Sequence, residues 1–102
     1  MFFYEVQIDV PVELEAEFVE WLIPHMEKME ELPCFDGSER LEVLDGDFAS
    51  DAPRFLCRYF YESAEDFTRY LELYADNMRA DLPDAWRAHL SFQRRTGSYT
   101  EL

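Results

Sequence analysis

Apolar and polar residues alternate over the first ten positions of the chain. The apolar series of one parity is Phe2, Tyr4, Val6, Ile8 and Val10. Residues Glu5, Gln7 and Asp9 fall between them. A period of two is typical of a strand with one buried face, so we predict a first strand that ends at Pro11.

From Glu13 onward, apolar residues recur every three or four positions. They are Leu14, Phe18, Trp21, Leu22, Met26, Met29 and Leu32. This period predicts an amphipathic helix, and glutamates occupy its other faces. Pro24 lies inside the pattern. Because proline removes a backbone hydrogen bond, we expect the helix to kink or restart just before His25.

Two further strands are predicted in the middle of the chain. Residues 38–44 alternate weakly, which favours a strand near a sheet edge, and a polar loop then leads to residues 53–62. One face of that third strand carries Phe55, Cys57, Tyr59 and Tyr61. On its other face Leu56 and Phe60 flank Arg58. Two helices can cover only one face, so we predict that the other face meets a second copy, giving a homodimer.

The second half adds one helix and one strand. Ser63 and Asp66 resemble a capping box. The predicted inward stripe of the helix is Phe67, Tyr70, Leu71, Tyr74 and Met78. Pro83 ends this region, and residues 86–96 alternate as a fourth strand. The order predicts one α+β domain over residues 1–102: a ferredoxin-like βαββαβ fold with a four-stranded antiparallel sheet, two helices on one face, and pairing as a dimeric α/β barrel.

The sheet face without helices is the candidate ligand site. Its predicted ligand-binding residues are Glu5, Gln7, Arg58, Phe60, Ser91 and Gln93. Two such sheets facing each other would close a mixed polar and apolar space for a small organic molecule. In the alternative interpretation, Arg58 pairs with Glu5 to fix the alignment of the dimer. The remaining polar residues would then hold trapped water.

Charge and composition narrow the possible partners. The formal net charge is -14, and the acidity is concentrated in residues 1–51. We therefore expect neither nucleic acid nor an anionic membrane as a partner. The amino terminus has no basic region or long apolar run, so we predict no signal peptide or membrane span and a cytoplasmic location.

No cofactor or metal is predicted. Cys34 and Cys57 show neither a C-x-x-C spacing nor a histidine at a ligand spacing, which argues against zinc and gives little support to a disulfide. The aspartates at 45, 47 and 51 lack the regular ligand spacing of a calcium loop and indicate a solvated hairpin connection.

His25 is the candidate catalytic residue, because it is one of only two histidines and histidine is the residue type best suited to proton transfer at physiological pH. It could act as a general base or a haem ligand. The alternative, which we favour at this stage, is a structural histidine hydrogen-bonded to the turn near Phe35. A histidine with no partner carboxylate nearby in sequence is a weak catalytic signal.

Several short patterns resemble a known family. They are the run from Trp21 to Phe35 containing His25, then Tyr59-x-x-Glu62-Ser63, Tyr70-Leu71 and Met78-Arg79. Together they resemble a bacterial family of proteins about the length of one domain, classed only as a domain of unknown function. That family is similar to the dimeric α/β-barrel superfamily.

The resemblance implies a homodimer but does not identify a reaction, because relatives include cofactor-independent monooxygenases, haem-degrading enzymes and small ligand-binding proteins. The leading hypothesis is a homodimer that binds a small organic ligand. A second is a monooxygenase-like enzyme with His25 as base and Arg58 or Gln93 steadying an oxyanion. A third is a purely structural or regulatory dimer.

Overall fold

The computed structural model describes residues 1–47 and 52–100. Its strands are β1 (Phe2–Asp9), β2 (Gly37–Val43), β3 (Arg54–Tyr61) and β4 (Ser91–Ser98). Its helices are α1 (Glu15–Glu31), α2 (Ala64–Leu73) and α3 (Ala75–Ala80), and short 3₁₀ turns span Val12–Leu14 and Asp84–Trp86. In these ranges no helix is both long and apolar enough to cross a bilayer.

The four strands form one antiparallel sheet in the order β2-β3-β1-β4. This order and the alternation of strands with helices confirm the predicted ferredoxin-like fold. The placement of β2 at an edge is also confirmed, as is its hairpin with β3. The polar connection of that hairpin runs into residues 48–51, so the prediction for Asp51 falls outside the described residues.

The helices cover one face of the sheet, and the other face, here called the open face, carries no helix among the described residues. The side chains of β1 and β3 that are buried under the helices are Tyr4, Ile8, Phe55, Cys57, Tyr59 and Tyr61. Residues of the opposite parity, among them Glu5 and Arg58, lie opposite each other on the open face. Each strand thus shows the two-faced pattern that its alternation predicts.

Helix α1 follows its sequence pattern closely. Its buried residues are Phe18, Leu22, Met26 and Met29, and Leu14, Trp21 and Leu32 pack against the same core. The helix continues through Pro24, so the predicted possibility of a restart before His25 is wrong. A single missing hydrogen bond is tolerated here because four buried side chains hold the helix to the sheet.

The second helical region is interrupted. The Ser63 hydroxyl accepts a hydrogen bond from the Asp66 amide at 3.3 Å, which confirms the predicted cap. The chain then leaves helical geometry at Tyr74, where φ is -127°, and α3 follows. The predicted stripe is also wrong at Leu71, which lies within α2 and is 45% exposed.

The fourth strand starts later than the pattern of residues 86–96 predicts. Pro83 begins a 3₁₀ turn in which the Trp86 amide donates to the Pro83 carbonyl at 3.0 Å. Trp86 packs against the core and Leu90 is buried. These two apolar residues thus belong to a packed turn and not to the strand, which begins at Ser91.

Candidate ligand cavity and open sheet face

A cavity of about 270 Å³ lies between the sheet and the helices. Helix α1 contributes Trp21, Leu22 and His25, and α3 contributes Met78 and Arg79. The sheet side is formed by the helix-facing residues of β1, β3 and β4. The cavity exists because the interrupted helix and the turn after Pro83 do not fill all the space above β1 and β4.

Part of the cavity lining is buried and aromatic. Tyr4, Tyr59 and Tyr70 belong to it and are each at most 3% exposed. Their rings pack together, with centroids 5.6 Å apart for Tyr4 and Tyr70. Burial raises the pKa of Tyr59 and of Tyr70, so both hydroxyls stay protonated. These tyrosines bring ring edges and hydroxyl groups to the cavity wall.

Another part of the lining is basic. Arg79, Arg87 and Arg94 belong to it, and all three are exposed. Among the described residues, no aspartate or glutamate belongs to the lining. The cavity therefore combines buried tyrosines with exposed arginines, in a chain whose formal net charge is -14.

His25 lies at the cavity wall and is held by Asp81. His25 Nδ1 is 2.9 Å from Asp81 Oδ2, and a carboxylate can only accept, so Nδ1 carries the hydrogen. The Nε2 atom is then left as the ring's acceptor when the imidazole is neutral. The partner of His25 is thus a carboxylate 56 residues away, and the expected bond to the turn near Phe35 is wrong.

Two neighbours fix the geometry of this pair. The Trp21 ring stacks on the imidazole with centroids 4.5 Å apart, and Trp21 Nε1 donates to the Asp81 carbonyl at 3.2 Å. The hydrogen bond from His25 holds the pKa of Asp81 below its ordinary value, with a further contribution from Lys28. Asp81 is therefore a charged group that orients His25.

The open face carries a network of ion pairs centred on Glu5. Arg58 Nε is 2.8 Å from Glu5 Oε1, which confirms the predicted pairing of these two residues. Arg95 Nε is 2.8 Å from Glu5 Oε2, and Arg58 also donates to Glu39 at 3.0 Å. Arg95 further donates to Gln7 Oε1 at 2.9 Å.

The structure brings the six predicted ligand residues together on this face. Arg58 opposes Glu5. Gln93 opposes Gln7, and Ser91 is two residues before Gln93 on β4. Phe60 opposes Phe3, whose ring lies 5.7 Å from the Arg58 guanidinium carbon. None of the six lines the helix-side cavity, whereas His25 does.

Sequence reasoning missed Asp81 and the cavity arginines. The signal for Arg79 and Arg94 was the alternation itself, since an arginine on the helix-facing side of a strand or helix needs an explanation. Asp81 carried no such signal, because its role depends on a tertiary contact with α1. Within the described ranges, no three His, Cys, Asp or Glu side chains come together as metal ligands would.

Solved structures with the same fold share little sequence with this chain. The haem degrader MhuD of Mycobacterium tuberculosis, with two haems in its active site, is 17% identical at a TM-score of 0.76, with 99% of this chain and 97% of that chain covered. A candidate antibiotic biosynthesis monooxygenase from Deinococcus radiodurans is 13% identical at a TM-score of 0.74, covering 100% and 95%.

A dimeric ferredoxin-like protein from an uncultured marine organism is 14% identical at a TM-score of 0.69, covering 100% and 97%. At these identities the similarity shows the fold alone. No functionally curated protein matches the chain. The model of one family, described as a domain of unknown function (DUF4286), matches residues 1–97. The chain therefore belongs to the DUF4286 family.

Proposed function

We propose that this protein is a homodimer that binds a small organic molecule in the cavity between its helices and its sheet. The observation that carries the proposal is the cavity itself, which is about 270 Å³ and joins buried tyrosines to exposed arginines. Pockets for drug-sized ligands span roughly 300–1,000 Å³, so a molecule of one or two rings is the expected size.

The open face supports pairing with a second copy. Leu56 and Phe60 are only partly covered within one chain, and Leu41 opposite Leu56 is exposed. The Glu5 network already satisfies its own charges, so a second sheet can approach without leaving an unpaired carboxylate. Among the structures of this fold is a protein described as a dimeric ferredoxin-like protein. The expectation that Glu5, Gln7, Arg58, Phe60, Ser91 and Gln93 bind a ligand between two sheets stays a prediction.

We also propose a cytoplasmic location and no nucleic-acid partner. Cys34 and Cys57 are both free and buried, which suits a reducing compartment. The net charge of -14 opposes binding to a phosphate backbone.

Dimerisation is tested by light scattering during size exclusion. A dimer has twice the chain mass of 12.2 kDa. Leu56→Glu should shift the protein to monomer, because it places a charge in the apolar part of the open face. Leu71→Glu is the matched control, since Leu71 is exposed on α2. A wild-type monomer at micromolar concentration would refute the dimer.

Ligand binding is tested by calorimetry with one- and two-ring aromatic compounds, quinols included. Met78→Trp should weaken binding at least tenfold, because the larger side chain fills the cavity. Leu73→Trp is the control, since Leu73 is 61% exposed and does not line the cavity. Equal affinities for the two variants would place the ligand elsewhere.

A second candidate function is an enzyme with His25 as general base, and the His25–Asp81 bond favours it. Asp81 keeps the hydrogen on Nδ1, so Nε2 can accept a proton from a weakly acidic C–H or O–H group. Arg58 and Gln93 lie on the opposite sheet face, so the helix-side arginines are the oxyanion partners in this cavity. His25→Gln should abolish turnover of a bound quinol and leave its affinity within about threefold, whereas unchanged turnover would leave only the binding function.

A further inference from the structure

The basic part of the cavity lining is an exception in this chain. Three of the nine basic residues of the chain line one cavity, with no carboxylate among the described lining residues. Positive charge concentrated in this way attracts an anion locally, even where the whole molecule is negative. The contacts of the three guanidinium groups indicate which of them can bind an anion.

Arg87 is engaged by its own segment through Nε and Nη2. Its Nε donates to Asp84 at 2.9 Å, and its Nη2 donates to the carbonyls of Arg79 and Leu82 at 3.1 Å each. These bonds tie the turn after Pro83 to the end of α3. Because its charge is already paired with Asp84, Arg87 holds the cavity wall and we do not assign it the anion.

Arg94 has no such partner. Its guanidinium carbon lies 5.1 Å from the centre of the Phe92 ring, and among residues 1–47 and 52–100 no carboxylate lies within 4.0 Å of it. The adjacent Arg95 projects to the open face, where Glu5 neutralises it. Arg94 projects to the helix side beside Val6, where no carboxylate of the described residues neutralises it.

Arg79 reaches the same place from α3. It bonds to the Tyr4 hydroxyl oxygen, which raises the pKa of Arg79, and Asp76 contributes only at longer range. A guanidinium has five N–H donors, so one contact with Tyr4 leaves others for a ligand. Arg79 and Arg94 are both near enough to Tyr70 to oppose the rise of its pKa that burial causes. The two arginines thus both lie close to the tyrosines that line the cavity.

We infer that the cavity binds an aromatic carboxylate, with the ring among Tyr4, Tyr59 and Tyr70 and the carboxylate held by Arg94 and Arg79. This inference rests on the proposed function and names its ligand class. Arginine suits a carboxylate because the planar fork can donate two parallel hydrogen bonds. The size of the cavity limits the ring system to one or two rings.

The test compares 2-naphthoate with 2-naphthamide, which have the same shape and differ in charge. Calorimetry at physiological salt should give at least tenfold tighter binding of the naphthoate. Arg94→Gln should remove this preference and leave the affinity for the amide within about twofold. Arg69→Gln makes the same change of charge on α2, outside the cavity, and should keep the preference.

The possible failures are distinct. Equal affinities, or tighter binding of the amide, would overturn the carboxylate inference and leave the proposed cavity function standing. An equal loss in Arg94→Gln and Arg69→Gln would also overturn it, because the preference would then reflect overall charge. Absence of binding by either compound would overturn the inference together with the proposed function for ligands of this size.

Discussion

Glu5 and Arg58 occupy opposed positions on β1 and β3, and Arg58 Nε lies 2.8 Å from Glu5 Oε1. Glu5 is only 4% exposed, and its second carboxylate oxygen is 2.8 Å from Arg95 Nε. A buried carboxylate is tolerated when charged donors surround it in this way. The centre of the open face therefore depends on a complete set of ion pairs.

Arg58→Met should lower the free energy of unfolding by roughly 1–3 kcal/mol, because one oxygen of buried Glu5 loses its donor. Urea denaturation followed by circular dichroism measures this at one fixed protein concentration. Arg69→Met is the control. Its ion pair with Asp66 spans 3.7 Å on an exposed helix, so a change within about 0.5 kcal/mol is expected. Equal losses for the two variants would contradict the importance of the Glu5 network.

Gly97→Ala should be destabilising by about 1–3 kcal/mol, the usual cost of overpacking. A Cβ at Gly97 would lie 2.4 Å from Cζ of Phe3, so the ring must move and leave its place near Arg58. At Gly37 a Cβ would meet nothing within 4 Å, and neither glycine has positive φ. Gly37→Ala should therefore leave stability unchanged or raise it. The same denaturation assay distinguishes the two, and equal stabilities would mean that Phe3 does not constrain β4.

The two cysteines should be inert in the native protein. Burial raises the pKa of Cys57 to about 12 from an ordinary 9.0, and it also raises that of Cys34. A disulfide reagent at pH 8 should modify neither thiol before unfolding and both after it. Rapid labelling of folded protein would show that the burial is incomplete.

The raised pKa of Cys57 also predicts a pH dependence of stability. Because the folded pKa exceeds the unfolded one, this contribution is complete below about pH 9 and is lost as the pH rises toward 12. The free energy of unfolding should fall less between pH 9 and 11 in Cys57→Ala than in wild type.

Asp81 predicts a pH dependence of the opposite sign. Its hydrogen bond from His25 lowers its pKa below the ordinary 3.8, so its contribution is present above that value and is lost as the pH falls through the lower folded pKa. Asp81→Asn should be less stable than wild type by about 1 kcal/mol at pH 7. The difference should shrink below pH 3.

Lys28→Met tests how much each of the two donors to Asp81, His25 and Lys28, contributes to stability. The Lys28→Met variant should lose stability at low pH nearly as wild type does, whereas His25→Gln should show little of this loss. Thermal unfolding across this pH range provides the measurement. If Lys28→Met instead lost more of this pH dependence than His25→Gln, Lys28 would be the main partner of Asp81.

The sequence was sufficient to predict the sheet, since the apolar residues of one parity in β1 and β3 are the ones that are buried. It was insufficient where a tertiary contact decides the backbone. Trp86 and Leu90 alternate like strand residues, yet they pack in a turn begun by Pro83. Leu71 has helical spacing but is exposed, since the buried residue of α2 is its neighbour Tyr70.

The site was predictable only in part, for a similar reason. The pairing of Glu5 with Arg58 follows from two charges on one sheet face. The cavity depends on the volume that the helices leave unfilled, which no local pattern encodes. The pairing of His25 with Asp81 joins residues 56 positions apart and so could not be found from spacing.

The ion pairs of the open face have a consequence for how the chain reaches its native alignment. Sliding β3 along β1 by one residue would turn its buried side chains to the wrong face, but sliding by two would preserve both faces. A two-residue slip would place Glu5 opposite Leu56 or Phe60 and leave its carboxylate without Arg58. Hydrophobic burial thus disfavours a slip by one residue, and the pairing of Glu5 with Arg58 disfavours a slip by two. This ion pair therefore helps to select the native alignment of β1 and β3.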